Sequence, residues 1–424
     1  MTELFVGIDL GTSGVRACAV DPSGTLRGAA AVPLPAPRQD GAAIEQDPEL
    51  WWQATTAALV ELGTRVDLQG VTRIAVDGTS GTLLLIDADG RPCSPGLMYN
   101  DARAVGEARR IAAVAPPESG AHGASSALAK LLHLLTAGSA ARRAVHQADW
   151  IAGRLAGRHG ISDENNALKL GYDPVQRRWP DWLAQLGIAP ELLPSILAPG
   201  TPFADIDPST ARALGLSSSA RVVAGTTDGV AAFIATGADM PGDAVTSLGT
   251  TLVVKLIATQ PIFAAAQGVY SHRLGDKWLA GGASNSGGAA LLSHFSAADM
   301  DLMTPLLRPD DPTGLDYYPL PKPGERFPIA DPALAPRITP RPVEDHRFFQ
   351  ALLEGIGRVE ALAYQRLQAL GAPALRRVIS IGGGAKNAAW TRIRERIIGA
   401  PVSVAAQTEA SYGTALLALQ GPPQ

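Results

Sequence analysis

Cysteine is almost missing from this chain: Cys18 and Cys93 are the only two in 424 residues. That excludes a disulfide framework and a cysteine-rich zinc site. Positive charge is not in surplus either, with 36 Lys and Arg against 40 Asp and Glu and a net charge of −4. With a pI near 6.0 there is no basic stripe, and no nucleic-acid partner is expected. No stretch approaches the ~18 consecutive apolar residues of a membrane span. The first apolar run lacks a basic leader and meets Asp9 almost at once, so no secretory signal is expected and a cytoplasmic location is. Aromatic residues are only 5%, beside many Ala, Gly, Pro and Arg; this reads as genomic composition bias and carries no function.

Hydrophobic residues at 46% are ample for real cores, and the length allows roughly two to three domains of about 150 residues. The stretch Leu4 to Val20, LFVGIDLGTSGVRACAV, organises the rest. An apolar run carries Asp9, breaks at Gly11-Thr12-Ser13-Gly14 and resumes as Val15 to Val20, which is strand, tight turn, strand. Two glycines around two hydroxyl residues let backbone N–H groups converge into an anion-binding concavity, and a phosphate is its natural guest. Neither a Walker loop nor a dinucleotide fingerprint fits: no Lys is present, the glycine spacing is wrong, and a strand rather than a helix follows. Alone, such a turn is also compatible with an ordinary hairpin.

A second copy strengthens the reading. Val245 to Val254 repeats strand, Leu248-Gly249-Thr250-Thr251, strand. Two similar halves, each with a phosphate hairpin, would hold a nucleotide polyphosphate between them. A composition shift at Leu214 to Ser219 predicts the junction, giving domains 1–217 and 218–424.

Other stretches add chemistry. Asp47-Pro48 predicts a helix start, and Leu50, Ala54, Ala58 and Leu62 its buried face, with Trp51 and Trp52 in packing roles. The strand Val71 to Val76 delivers Asp77-Gly78-Thr79-Ser80-Gly81-Thr82, readable either as one more loop or as small polar groups facing a polyol. Helices are predicted over 127–136, carrying Lys130, and over 149–155, 179–186 and 230–238. Asp228 lies at a strand-to-helix turn, where helix-terminal N–H groups can hold a fixed base. The Pro-rich segment 308–346 contains Tyr317, Tyr318, Phe327 and Ile329 and is expected to be packed and irregular. A long helix runs through Phe349 to Leu367 and stops at Gly371 and Pro373. Then strand Arg377 to Ile381, Gly382-Gly383-Gly384 and a helix from Asn387 make a nucleotide platform, the glycines admitting adenosine and the helix terminus favouring phosphate.

The paired hairpins resemble the sugar kinase, Hsp70 and actin superfamily, which implies an α/β fold of two ribonuclease-H-like domains closing over ATP in a cleft between them. Adding AGTTDG, the GER at Gly324 to Arg326, GGGAKN and EASYGTALLAL, the chain resembles the FGGY carbohydrate kinases over nearly its whole length. The resemblance implies ATP and Mg²⁺ as cofactors, Asp228 as general base, and Asp9 as the acid associated with the metal through water. It also implies phosphate contacts at Gly11, Thr12, Ser13, Gly249, Thr250 and Thr251, an adenosine pocket at Gly383, Gly384 and Asn387, and a sugar site at Asp9, Thr79, Ser80, Gly81 and Asp228. Domain closure would exclude water from the transfer. The chain departs from the family in having His133 where many members have Trp, and in being shorter than usual. VDGTSGTLLLID is most similar to the short D-ribulose kinases of cyanobacteria and plants, so transfer to the terminal hydroxyl of D-ribulose is expected, with D-xylulose next. A monomer or homodimer with no membrane association is expected. A chaperone or filament ATPase of the superfamily would not account for AGTTDG, retention of Asp9 and Asp228 argues against a pseudokinase, and the zinc-containing glucokinase type fails on cysteine count.

Overall fold

The computed structural model describes residues 2–136 and 141–421. Met1–Ala235 together with Glu409–Gln424 form one compact unit, and Thr236–Thr408 the other.

In the first unit the strand Leu4–Leu10 is buried along its whole length, as a near-continuous apolar run should be when both faces of its sheet are covered. It pairs antiparallel with Gly14–Val20 through the tight turn and parallel with Val71–Gly78. The sheet continues outward through Leu26–Pro33 on one side and through Arg221–Val223 and Pro202–Asp205 on the other. The helix Pro48–Gly63 covers one face. It starts where the sequence predicts, with the Asp47 carboxylate accepting from the Glu49 N–H at 3.0 Å, and buries Trp51, Ala54, Ala58, Leu59 and Leu62. The opposite face is covered by the helix Ala410–Gln420, which also packs on the helix Asp228–Ala235. Glycine makes that closeness possible. A Cβ on Gly7 would stand 2.1 Å from the Ser411 carbonyl oxygen, and one on Gly413 1.8 Å from that of Ala231.

The second unit repeats the plan. Asp243–Leu248 pairs antiparallel with Leu252–Ala258 and parallel with Arg377–Ile381, which pairs parallel with Val402–Val404; Lys277–Ser284 extends the hairpin side. The internal repeat in the sequence is thus a repeat of sheet topology. The helix Asp345–Ala369 covers one face with Phe349, Leu352, Ile356, Val359, Ala363 and Leu367. Tyr317, Tyr318 and Phe327 of the Pro-rich segment are buried in the same core.

Three expectations differ from the structure. The units part at Ala235 and Thr236, not near residue 217, because Arg221–Val223 and Thr226–Thr227 both pair with Val71–Gly78 and so belong to the first sheet. Residues from Glu409 onward also return to that unit. The predicted helix over 179–186 is a 3₁₀ helix limited to Asp181–Leu186, and that over 230–238 is Asp228–Ala235, which puts Asp228 in its first turn.

Candidate active site

Three carboxylates meet at the carboxyl ends of adjacent parallel strands in the first unit, the edge where open α/β sheets bind ligands. Asp9 ends the first strand and lies in register with Asp77 on Val71–Gly78. Thr226 and Thr227, paired with Asp77 and Gly78, lead directly into Asp228. Asp9 is 5% exposed and Asp77 0%, whereas Asp228 is half-buried. The Gly229 N–H donates to Asp228 Oδ1 at 2.7 Å, which orients the carboxylate from the helix terminus.

The electrostatics separate the first two acids. Burial raises Asp9 above the usual carboxylate range, and Asp228 adds to the rise; the interaction with Asp77 and the Arg16 guanidinium, 3.4 Å from Asp9 Oδ2, oppose it. Burial lifts Asp77 far higher, the charges of Asp9 and Asp228 add to it, and the Thr414 hydroxyl donating to Asp77 Oδ2 only partly offsets them. The protonated form of Asp77 is thereby favoured, and its buried Oδ1 has no hydrogen-bond partner among the described residues.

Beside these acids, the turn Thr79–Thr82 is held from several directions. The Thr79 hydroxyl shares a hydrogen bond with that of Thr82 at 2.5 Å and donates to Gln147 Oε1 at 2.9 Å. Lys169 Nζ donates to the Ser80 carbonyl at 3.0 Å, and Lys130 Nζ to the Gly81 carbonyl at 2.8 Å. Lys130 is fully buried, and burial with repulsion from Lys169 brings it down to about 7. Of the three small residues, Thr79 turns its hydroxyl inward, while Ser80 is half-buried.

A second polar knot fixes the segment before Asp228. Asp163 Oδ1 accepts the N–H groups of Asn165 and Asn166 at 2.8 and 3.0 Å. The Asn165 amide then donates to Thr226 Oγ1 and that of Asn166 to the Thr226 carbonyl, both at 3.1 Å. The polar turn Ser162 to Asn166 thus holds the chain two residues ahead of Asp228.

In the second unit Ser247 occupies the strand position of Asp9, and its register partner Ile381 that of Asp77. The repeat keeps the hairpin and loses the acids. Gly249 and Thr250 are exposed at the turn, and their carbonyls accept from Gly288 and Ala289 at 2.9 and 3.0 Å. They border a pocket of about 570 Å³ whose walls include Gly383, Gly384, Asn387, Met300 and Leu291. Its size and mixed lining suit a nucleoside. Asn387 caps the helix Ala388–Ile398, accepting from the Trp390 N–H at 3.0 Å. A Cβ on Gly384 would lie 2.5 Å from the Trp390 ring and 2.9 Å from Leu248 Cβ.

The structure therefore gathers Asp9, Asp228, Thr79, Ser80, Gly81 and the turn Gly11-Thr12-Ser13 in the first unit, and Gly249, Thr250, Thr251, Gly383, Gly384 and Asn387 in the second. Sequence reasoning passed over Asp77 and Lys169. Asp77 had a signal, being, like Asp9, a carboxylate closing an apolar strand before a glycine-rich turn; Lys169 had none.

Two α/β units whose sheets share one order over five strands, each with a glycine and hydroxyl hairpin, define a two-domain α/β fold of the kind seen in solved carbohydrate kinases. Residues 4–235 match the N-terminal domain, and residues 244–420 the C-terminal domain, of the FGGY family of carbohydrate kinases. The chain belongs to this family and is a phosphotransferase acting on a sugar hydroxyl. It is 27% identical over 416 residues to a xylulose kinase of Escherichia coli, covering 93% of this chain and 85% of that one. Among solved structures it is similar to a xyloylose kinase from Brucella ovis, with a TM-score of 0.89 and 23% identity over 100% of this chain and 93% of the other. It is also similar to a gluconate kinase from Lactobacillus acidophilus, with a TM-score of 0.86 and 20% identity over 99% and 89%.

Proposed function

We propose that this kinase transfers the γ-phosphoryl group of ATP to the terminal hydroxyl of a pentulose, D-xylulose ahead of D-ribulose. The transfer chemistry is carried by one observation, the placement of Asp9 and Asp228 at strand ends on either side of the strand that carries Asp77 and leads into the Ser80 turn. The order of the two sugars reverses the expectation from VDGTSGTLLLID. That expectation rests on resemblance to the short D-ribulose kinases, and of the three residues the resemblance implies at the sugar, Thr79 is committed to Thr82 and Gln147. The relative from Escherichia coli, similar over most of both chains, favours D-xylulose.

Phosphoryl transfer passes through a loose transition state, so the protein's part is positioning and charge neutralisation. Asp228, steadied by the Gly229 N–H, orients the acceptor hydroxyl and takes its proton late in the transfer. Each of the two hairpins, at Gly11 to Ser13 and at Gly249 to Thr251, offers N–H groups and hydroxyls suited to a phosphate. Gly383, Gly384 and Asn387 line the pocket that takes the adenosine. Mg²⁺ would supply charge neutralisation on the phosphates when bound, and a carboxylate next to a phosphate turn suits an ion that takes few protein ligands. Asp9 is the residue that would hold it. Among the described residues no cluster of three or more His, Cys, Asp or Glu offers an all-protein cage.

A coupled ADP-release assay across D-xylulose, D-ribulose, glycerol and D-gluconate tests the reading. The two pentuloses should give the highest kcat/KM, with glycerol poor because a shorter acceptor leaves polar groups of the site unpaired. Higher kcat/KM for gluconate or glycerol would refute it.

A further inference from the structure

We propose that Lys169 is a specificity-determining residue of the acceptor pocket, donating from its ammonium to an acceptor-only oxygen of an open-chain sugar, the ketone of a pentulose. This deepens the pentulose reading and rests on it.

From Ser162 to Tyr172 every residue is buried except Lys169, which is half-buried. Its Nζ reaches the Ser80 carbonyl at 3.0 Å, and an ammonium carries two further N–H donors. Its stem passes Gly81, where a Cβ would stand 3.1 Å from Lys169 Cδ and 3.8 Å from Nζ; Gly81, at φ +92°, leaves that passage open. Burial lowers Lys169 below the ordinary lysine range, and the charge of Asp228 opposes that fall. Lys169 and the proposed base belong to the same unit, and Lys169 is tied to the Ser80 turn. Lys130 makes the contrast. It is fully buried and anchors the next carbonyl, Gly81, from inside, so one lysine serves as an internal anchor and the other retains exposed surface.

An ammonium only donates, and a ketone or carboxylate oxygen only accepts, so the two are complementary in every orientation. A sugar hydroxyl can also accept, but it is the weaker partner of a cation than a carbonyl or carboxylate. The pocket should therefore favour a ketose over the alditol of the same length.

The test compares the wild type with Lys169→Met and Lys169→Arg. Dissociation constants for D-xylulose and xylitol, measured calorimetrically without ATP, stand beside kcat and KM for D-xylulose, xylitol and D-gluconate. Lys169→Met should raise KM and Kd for D-xylulose by about tenfold or more, with a smaller fall in kcat and no change in KM for ATP. The ketose-to-alditol preference should shrink by a similar factor, and Lys169→Arg should restore part of it at an unchanged Tm. An unchanged ratio, or equal losses for ketose and alditol, would overturn the proposal and leave Lys169 as an anchor of the Ser80 turn. If the wild type turns over D-gluconate and neither pentulose, the pentulose reading fails. Loss of gluconate binding in Lys169→Met would then assign the same donor to a carboxylate, and unaltered gluconate binding would overturn it.

Discussion

Asp9 and Asp77 stand across from each other on parallel strands, yet their surroundings differ: Asp77 is sealed in the sheet under the Thr414 hydroxyl, and Asp9 is reached by Arg16. The raised folded-state pKa of Asp77 means that the native chain keeps a proton which the unfolded chain releases above about 3.8. Its contribution to stability is present below that pH and is lost as pH climbs towards the folded value. Asp77→Asn keeps the shape and stays neutral, so its Tm relative to wild type should rise between pH 4 and pH 8. Thermal unfolding at both pH values checks this, and a constant difference would show that Asp77 is ionised in the fold.

Asp228→Asn should lower kcat by about 10²- to 10⁴-fold, the usual scale for losing a general base. ATP affinity should hold, because the pocket proposed for adenosine is lined by residues of the other unit. Steady-state kinetics with nucleotide titration decide it: more than about a tenth of wild-type kcat in the variant would remove Asp228 from that role.

Lys130 gives a pH effect of opposite sense. Its folded value of about 7 lies below the ordinary 10.5, so between these limits the unfolded chain binds the extra proton and stability rises with pH. Lys130→Met should abolish that increment, at most about 1.4 kcal/mol per pH unit. Urea unfolding of both proteins at pH 7 and pH 9 measures it. Parallel stabilities at the two pH values would contradict the assignment.

Gly384→Val should raise KM for ATP by about tenfold or more while leaving sugar affinity in place, since a branched side chain meets Trp390 and Leu248 in the pocket wall. Separate calorimetric titrations with ATP and sugar test the split. Equal losses for both ligands would indicate general misfolding.

Much of the fold was legible because its signals were local. Apolar runs closed by glycine turns marked the hairpins, and Asp47-Pro48 and Asn387 marked helix starts by the chemistry of the unpaired first N–H groups. The repeat of hairpins led to two units before any strand order was known. What escaped were long-range facts. Nothing in Leu214 to Ser219 says that the next strand will pair with Val71–Gly78, so a surface loop has the composition of a border. Thr79 faces inward only because Gln147 arrives from a distant helix. Lys169 acquires its place through a carbonyl 89 residues away.

The helix Ala410–Gln420 bears on how the protein is made. It fills the groove over Gly7 and carries Thr414 to Asp77, although the whole second unit separates it in sequence from the sheet it covers. During synthesis the strands Leu4–Leu10 and Val71–Gly78 leave the ribosome more than three hundred residues before their cover does. Until then the apolar face at Phe5, Cys18 and Val20 lacks Ala415 and Ala418, and Asp77 lacks its hydroxyl partner. The first unit therefore cannot finish folding in order of translation, and a nascent chain halted before Glu409 would display a sticky, acid-centred groove to the chaperones around it.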